Sequence, residues 1–301
     1  SPFHPLQDFL RRLTWDGTPR IAHVANTILG VPADSLAIAD RMVRCWFISA
    51  VARALMPGSK VDTTLVLVGP QGFYKSQFFS VLGGEWFSDT YVDIRSKDGI
   101  LQVHASWLLE WAEIERVTLR TSSSDVKAFL TSASDYVRPP FARGVLIQPR
   151  SSVIVGSTNK LFLDDETGAR RFWPVTVGKL VDIETLAAWR EQLWAEAVTG
   201  FLAKETWWLT RAEEAAREDD AQNHAIDDPW TEKIAAYLNH PHRMKEGVST
   251  MDVLIGAIRV ETARVGRAEE TRVGKILRRL GWMPHRARDG REGGRRRLYK
   301  P

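Results

Sequence analysis

Leu65-Val66-Leu67-Val68-Gly69-Pro70-Gln71-Gly72-Phe73-Tyr74-Lys75-Ser76-Gln77-Phe78-Phe79 decides the fold. The apolar, branched run at its start, which reaches back to Thr63, reads as a buried strand ended by Gly69-Pro70. Lys75-Ser76 then opens an apolar helical stretch. Strand, glycine-containing loop, Lys-Ser and helix, in that order, form the setting of a phosphate-binding loop. Glycine lets the backbone wrap closely so that amide hydrogens face phosphate oxygens, and the helix N-terminus adds partial positive charge. On this reading Gly69 and Gly72 shape the loop, Lys75 neutralises the β- and γ-phosphates of ATP, and the Ser76 hydroxyl holds Mg²⁺. Such loops usually carry glycine directly before the lysine, and here that residue is Tyr74. The departure bears on loop geometry and affinity, and on turnover more than on nucleotide binding.

Two further strand candidates follow, Ser106-Trp107-Leu108-Leu109 and Ser152-Val153-Ile154-Val155-Gly156, with helical segments between them. That alternation predicts an α/β fold with a sheet covered on both faces. Glu110 and Glu113 stand at the end of the first of these strands. One of them suits the metal side, through water, and the other suits activation of the attacking water. Glu113 is favoured for the water and Glu110 for the metal, although residue order alone does not assign the roles. The second strand runs into Ser157-Thr158-Asn159, whose amide suits a hydrogen bond to the attacking water or the γ-phosphate. Arg170 and Arg171 follow the acidic turn Asp164-Asp165. They either pair with those acids or reach a neighbouring subunit's nucleotide as an arginine finger, with a slight preference for Arg171.

Outward from this centre, Leu6, Phe9, Leu10 and Leu13, then Ile38 to Leu55, predict a helical N-terminal region over 1–60. The nucleotide-binding core is expected over 61–210, including a tryptophan-rich helix from Ile183 to Trp208, and a polar linker or surface helix over 211–229. Most of the 12 tryptophans sit inside apolar patterns and read as core. Residues 230–301 read as a small domain of their own. Ile234, Tyr237 and Leu238 mark one helix; Ser249-Thr250-Met251-Asp252 begins a second, with Thr250 as its cap; Thr271 to Gly281 is a third. Trp282–Arg288 and Arg295–Tyr299, around Asp289-Gly290, fit a hairpin. Three helices and a β-wing predict a winged helix, its third helix placed for a major groove by Arg272, Lys275, Arg278 and Arg279. Arg295, Arg296 and Arg297 on the wing suit phosphates. A protein-binding winged helix with a merely solvated basic face is the competing reading.

The charge distribution agrees with a DNA partner. Of the 301 residues, 41 are Lys or Arg and 37 Asp or Glu, but residues 241–301 hold 16 against 7. A basic balance concentrated in the last fifth is the electrostatic footprint of a phosphate-binding module. The 26% charged and 44% hydrophobic content is that of a globular protein and excludes collagen-like or disordered classes. The single thiol, Cys45, excludes an internal disulfide or a Cys-rich zinc site and suits a reducing cytoplasm. No apolar run approaches the roughly 18–20 residues of a membrane span, so no membrane partner is expected. The start at Ser1-Pro2, without Met, is consistent with a fragment of a longer chain.

Read in order, a larger set of motifs resembles the virulence-associated E family. It comprises Trp15-Asp16-Gly17, the loop with Lys75-Ser76, Trp86-Phe87-Ser88-Asp89, Ser96-Lys97-Asp98 and Glu110-Trp111-Ala112-Glu113. Lys127-Ala128-Phe129-Leu130, Asp135 to Phe141, Ser157-Thr158-Asn159, Gly168 to Val175 and Gln192 to Ala197 extend it, from about His4 to about Leu209. The resemblance implies a P-loop ATPase of phages, prophages and their satellites, acting in the bacterial host cytoplasm. Such proteins are related to superfamily 3 helicases and AAA+ ATPases, and are often fused to or encoded beside a primase. It also draws attention to Lys127, Arg138 and Arg143, where ring helicases of the related superfamily carry a pore hairpin, with Pro139-Pro140 and Gly144 suited to a turn. In a homo-oligomeric ring these cations would grip single-stranded DNA; alternatively Lys127 pairs with Asp125 or Glu113. The expected function is therefore an ATP- and Mg²⁺-dependent DNA motor, a replicative helicase of a mobile element, acting on single strands and on origin duplex. The alternatives are a non-hydrolysing nucleotide-binding origin or regulatory protein and, less supported, a nucleotide kinase.

Overall fold

The structure is a computed structural model that describes residues 4–114, 121–137, 144–159, 169–223, 230–260, 266–288 and 295–301. The chain divides into two compact units, residues 1–225 and 226–301.

The first unit is a mixed α/β structure on a parallel sheet of five strands. These are β1 (Thr64–Val68), β2 (Phe87–Ser88), β3 (Leu108–Ala112), β6 (Val153–Thr158) and β7 (Phe172–Thr176), in the order β2-β3-β6-β1-β7. Every residue of β1 and β6 is buried, as strands covered on both faces require. β1 lies between β6 and β7, with Leu65 opposite Val155 on one side and Trp173 on the other. The chain leaves β1 for β2 and β3 on one side, then returns past it from β6 to β7. That change of direction makes the carboxyl ends of β1 and β6 the topological switch point, the crevice in which such sheets bind ligands.

Alternation along the strands divides the core in two. Leu65, Leu67, Leu108, Val153 and Val155 face one side, where they pack with Trp46, Phe79, Trp107 and Trp194. Val66, Val68, Leu109, Trp111 and Ile154 face the other, with Val103 and Phe129. The first layer holds the helices Leu36–Leu55, Lys75–Gly83 and Ile183–Leu202; the second holds Lys97–Ala105 and Ser123–Thr131. Trp107 Nε1 donates to the Ala50 carbonyl and Trp194 Nε1 to that of Leu82, both at 3.0 Å, so these rings are buried without orphaned donors. Glu196, also buried, accepts from the Arg20 and Ile21 amides at 2.7 and 2.9 Å and pairs with Arg44, which pins the N-terminal segment to the helix Ile183–Leu202. A two-stranded antiparallel ribbon, β4 (Ser134–Val137) with β5 (Leu146–Pro149), projects between the second-layer helices and β6 in chain order. No helix among the described residues is long and apolar enough to cross a membrane.

The second unit has helices at Trp230–Leu238, Pro241–Glu246, Thr250–Val253 (continued as a π-turn to Ile258) and Arg267–Arg279, then the hairpin β8 (Met283–Arg288) and β9 (Arg295–Lys300). Val248 adds a bridge to Tyr299, a third short strand segment that the sequence pattern does not show. Two expectations are corrected. The cap of the second main helix is Ser249, not Thr250: its hydroxyl accepts from the Asp252 amide while Asp252 accepts from the Ser249 amide, a capping box. The last helix begins at Arg267 rather than Thr271: the Gly266 amide ahead of it donates to the Glu269 carboxylate at 3.0 Å, which satisfies one free donor of the helix start. Val273, Ile276, Leu277, Ile234, Leu254 and Tyr299 form this unit's own core.

Candidate functional site

The crevice is lined by residues from four segments. The loop after β1 turns with φ of 85° at Gly72 and 61° at Tyr74, and Lys75 begins the helix Lys75–Gly83. Gly69 is needed for a different reason. A Cβ there would stand 3.0 Å from the Val177 carbonyl oxygen. Tyr74 thus adopts the left-handed conformation that glycine would take at no cost, and its ring is half exposed. The substitution leaves the turn intact and places strain in the backbone. A left-handed non-glycine residue costs roughly 1–2 kcal/mol, of which glycine gives back part through unfolded-chain entropy, roughly 0.5–1 kcal/mol. Tyr74→Gly is therefore expected to stabilise the protein by about 0.5–1 kcal/mol. Tyr74→Val, branched at Cβ, is expected to destabilise it; urea midpoints at unchanged slope check both.

Lys75 is buried with its ammonium turned into the loop. Nζ donates to the Gly69 and Pro70 carbonyls at 2.8 and 2.7 Å and to Asn159 Oδ1 at 3.0 Å. Asn159 follows directly on β6, and its side chain is exposed on the crevice side. At the next residue of the helix, Ser76 Oγ donates to Glu110 Oε1 at 2.8 Å, and Ser157 Oγ of β6 donates to the same oxygen at 2.6 Å. Glu110 is almost fully buried, yet its second oxygen, Oε2, has no hydrogen-bond partner among the described residues. Burial pushes its carboxyl above the ordinary range; the two serine hydroxyls and Lys75 act in the opposite sense, and the charge of Asp89 adds to the rise. A buried oxygen with no donor beside a hydroxyl and a lysine is the environment a divalent cation or its water would complete.

Glu113 comes just after β3 ends, in a left-handed backbone conformation with φ of 50°. Strain of this kind in a non-glycine residue is retained where the surroundings over-determine it, as at functional sites. The structure therefore brings Gly69, Gly72, Lys75, Ser76, Glu110, Glu113 and Asn159 to one edge of the sheet.

Arg170 and Arg171 are not brought there. They precede β7, and Phe172 pairs with Thr64, so they sit at the amino edge of a parallel sheet. Five residues of strand, about 16 Å, separate that edge from the loop. Arg170 is exposed, and Arg171 Nε is buried without a partner among the described residues. Lys127 lies on the helix Ser123–Thr131, ahead of the ribbon rather than on it. Arg138 and Arg143 lie outside the described residues, as do Asp164 and Asp165. In the second unit Arg272 is stacked over the Trp230 ring at 3.9 Å, and Arg278 is exposed. Lys275 and Arg279 lie on the same helix and Arg295, Arg296 and Arg297 on β9, where the backbone alone is described.

Two contributors escape the sequence reading. Ser157 serves Glu110 as fully as Ser76 does, and Asp89 stands close enough to raise the Glu110 carboxyl. Both are small polar residues at strand ends, where turn formation is the commoner use and no spacing rule singles them out.

Comparison with known proteins adds a family and little else. A family model described as the virulence-associated protein E-like domain matches residues 10–226. Among solved structures, an A form apo structure of the NrS-1 C-terminal region aligns at 11% identity and TM-score 0.46, covering 99% of this chain and 78% of that one. A second apo structure of that region, 305–718, aligns at 12% identity and TM-score 0.46, covering 98% and 78%. No curated protein matches the chain.

Proposed function

The chain belongs to the virulence-associated protein E-like family, and from that premise we propose that it is an ATP-driven DNA motor, the replicative helicase of a phage, prophage or satellite. One observation carries the reading: at the switch point of a parallel sheet, Lys75 is hydrogen-bonded to Asn159 while Ser76, the next residue, and Ser157 both donate to Glu110. In this P-loop reading the amides of the loop and helix start cradle the triphosphate. Lys75 exchanges the Gly69 and Pro70 carbonyls for phosphate oxygens, and Asn159 moves with it because the two are joined. Ser76 and Glu110 hold Mg²⁺ or its water. When bound, the ion supplies charge neutralisation across the phosphates. Glu113 accepts the proton of the attacking water, since Glu110 is committed to two serines.

At the amino edge of the sheet Arg170 and Arg171 are out of reach of their own crevice, so a finger role for them would be played in trans. A neighbouring subunit would present them to this crevice, in a homo-oligomeric ring with sites between protomers. The ribbon β4–β5 would then line the ring pore and meet single-stranded DNA. The second unit, with helices, the bridge at Val248 and the β8–β9 hairpin in that order, reads as a winged helix that binds duplex origin DNA through its last helix and wing. A primase, fused or separate, would be the partner of such a motor.

The test is nucleotide binding and phosphate release, with and without single-stranded DNA, for the wild type and Lys75→Ala. Removing hydrogen bonds from a charged donor costs about 1.5–3 kcal/mol, so Lys75→Ala is expected to weaken ATP binding roughly tenfold to hundredfold. ATP bound by the wild type with no phosphate released at any DNA concentration would replace the motor with a non-hydrolysing origin-binding or regulatory protein.

A further inference from the structure

We propose that Asp89 and Glu110 form a two-carboxylate site that takes a divalent cation before nucleotide arrives. The inference rests on the nucleotide-binding reading of the crevice and adds to it a ligand and an order of binding. It starts from register. Phe87 pairs with Leu108 and Ser88 with Leu109; Asp89 follows Ser88 directly where β2 ends, as Glu110 follows Leu109 in β3, so the two carboxylates leave neighbouring strands at the same level. Residues paired in this way share a face. Phe87 and Leu108 both pack into the core on the side of the helix Lys75–Gly83, which puts Asp89 and Glu110 on that side with Ser76.

The second observation is the orphaned oxygen. Glu110 is 1% exposed and spends Oε1 on two serine hydroxyls, while Oε2 has no donor among the described residues. A buried carboxylate oxygen without a partner is costly unless a cation or a water completes it. Asp89, at the exposed mouth, brings a second negative charge toward it, which makes a cation the better complement than a neutral water.

The donor set selects the cation. Among the described residues no group of three or more His, Cys, Asp or Glu gathers, so two carboxylates and the Ser76 hydroxyl make an incomplete oxygen shell. Mg²⁺ and Mn²⁺ accept such a shell, retaining several waters that phosphate oxygens later displace. A soft-metal site would need thiolate or imidazole, and neither is present there.

The experiment titrates the nucleotide-free protein with Mn²⁺, reading free Mn²⁺ by its paramagnetic resonance signal. In parallel, a fluorescent ATP analogue is bound in EDTA. The wild type is expected to bind one Mn²⁺ without nucleotide. Asp89→Asn, isosteric and exposed, is expected to weaken that binding at least tenfold, with analogue binding in EDTA unchanged; Asp89→Glu should recover part of it. Wild-type protein that binds no Mn²⁺ until nucleotide is added, or Asp89→Asn that binds Mn²⁺ like the wild type, would overturn the proposal. Mn²⁺ bound with no analogue bound in EDTA or Mg²⁺ would instead support this site and overturn the nucleotide reading, so the two fail separately.

Discussion

Glu113→Gln is expected to lower the single-turnover rate of phosphate release by roughly 10²–10⁴, the usual range for removing a general base, while ATP affinity changes by no more than a few-fold. The expectation follows from the roles proposed for the two acids at the end of β3. Glu110 is buried, its Oε1 is held by Ser76 and Ser157, and its orphaned Oε2 suits a cation. A group so engaged orients a metal and is badly placed to take a proton from a mobile water. Glu113 is three residues on, past the end of β3, and a left-handed backbone sets its direction. Gln keeps the side chain's size and removes its basicity, so binding survives and chemistry does not. Glu110→Gln is expected to behave in the opposite way, weakening cation-dependent binding as well as turnover. A Glu113→Gln enzyme with wild-type turnover would reassign the base. Quench-flow phosphate release and equilibrium analogue binding, measured on both variants, separate the two roles.

Much of this site can be read in the sequence because its parts are local. The Gly69–Ser76 loop sits between a branched apolar run and an apolar helix, and each signal lies within fifteen residues of the next. Glu110, Glu113 and Asn159 are legible as polar residues at the carboxyl tips of apolar strands. What escapes is set by pairing at a distance. β2 has two residues, too few for any period to show. β7 contains Pro174, which argues against a strand; it survives because β7 is at the sheet's edge, paired with β1 alone. Ser157 and Asp89 gain meaning only once β6 and β2 flank β3. Tyr74 was legible as a departure from the usual glycine, but that the backbone keeps glycine's conformation there is a property of the folded loop. The amino-edge position of Arg170 and Arg171 likewise depends on β7 and could not be seen without it.

The largest stability effect lies away from the crevice, at the root of the ribbon. Arg150 and Asp135 are both buried, joined by Nε to Oδ2 at 2.6 Å and by Nη2 to Oδ1 at 2.7 Å. Arg150 also donates to the Phe129 carbonyl and lies over the Phe129 ring at 4.2 Å, and His104 Nε2 contacts Asp135 Oδ2 at 3.0 Å. The pair thus ties β4, the residue after β5 and two second-layer helices into one unit. Removing one member of a buried pair strands the other's charge, a cost of about 3–5 kcal/mol. Arg150→Met is therefore expected to lower the melting temperature of this 225-residue unit by about 10 °C, at roughly 2–4 °C per kcal/mol. The double variant Arg150→Met, Asp135→Leu should recover most of the loss, because no unpaired charge remains. The pH dependence separates this account from simple loss of packing. Burial alone would raise the Asp135 carboxyl, but the hydrogen bonds from Arg150 and His104 overcome it and hold it at about 2, below its ordinary 3.8. A depressed folded value contributes stability above the unfolded value that is lost as pH falls through the folded one. The difference in melting temperature between wild type and Arg150→Met should accordingly be full at pH 6 and shrink between pH 4 and pH 2. A difference that stays constant across that window would mean that Arg150 acts through its contact with Phe129, and not through its charge.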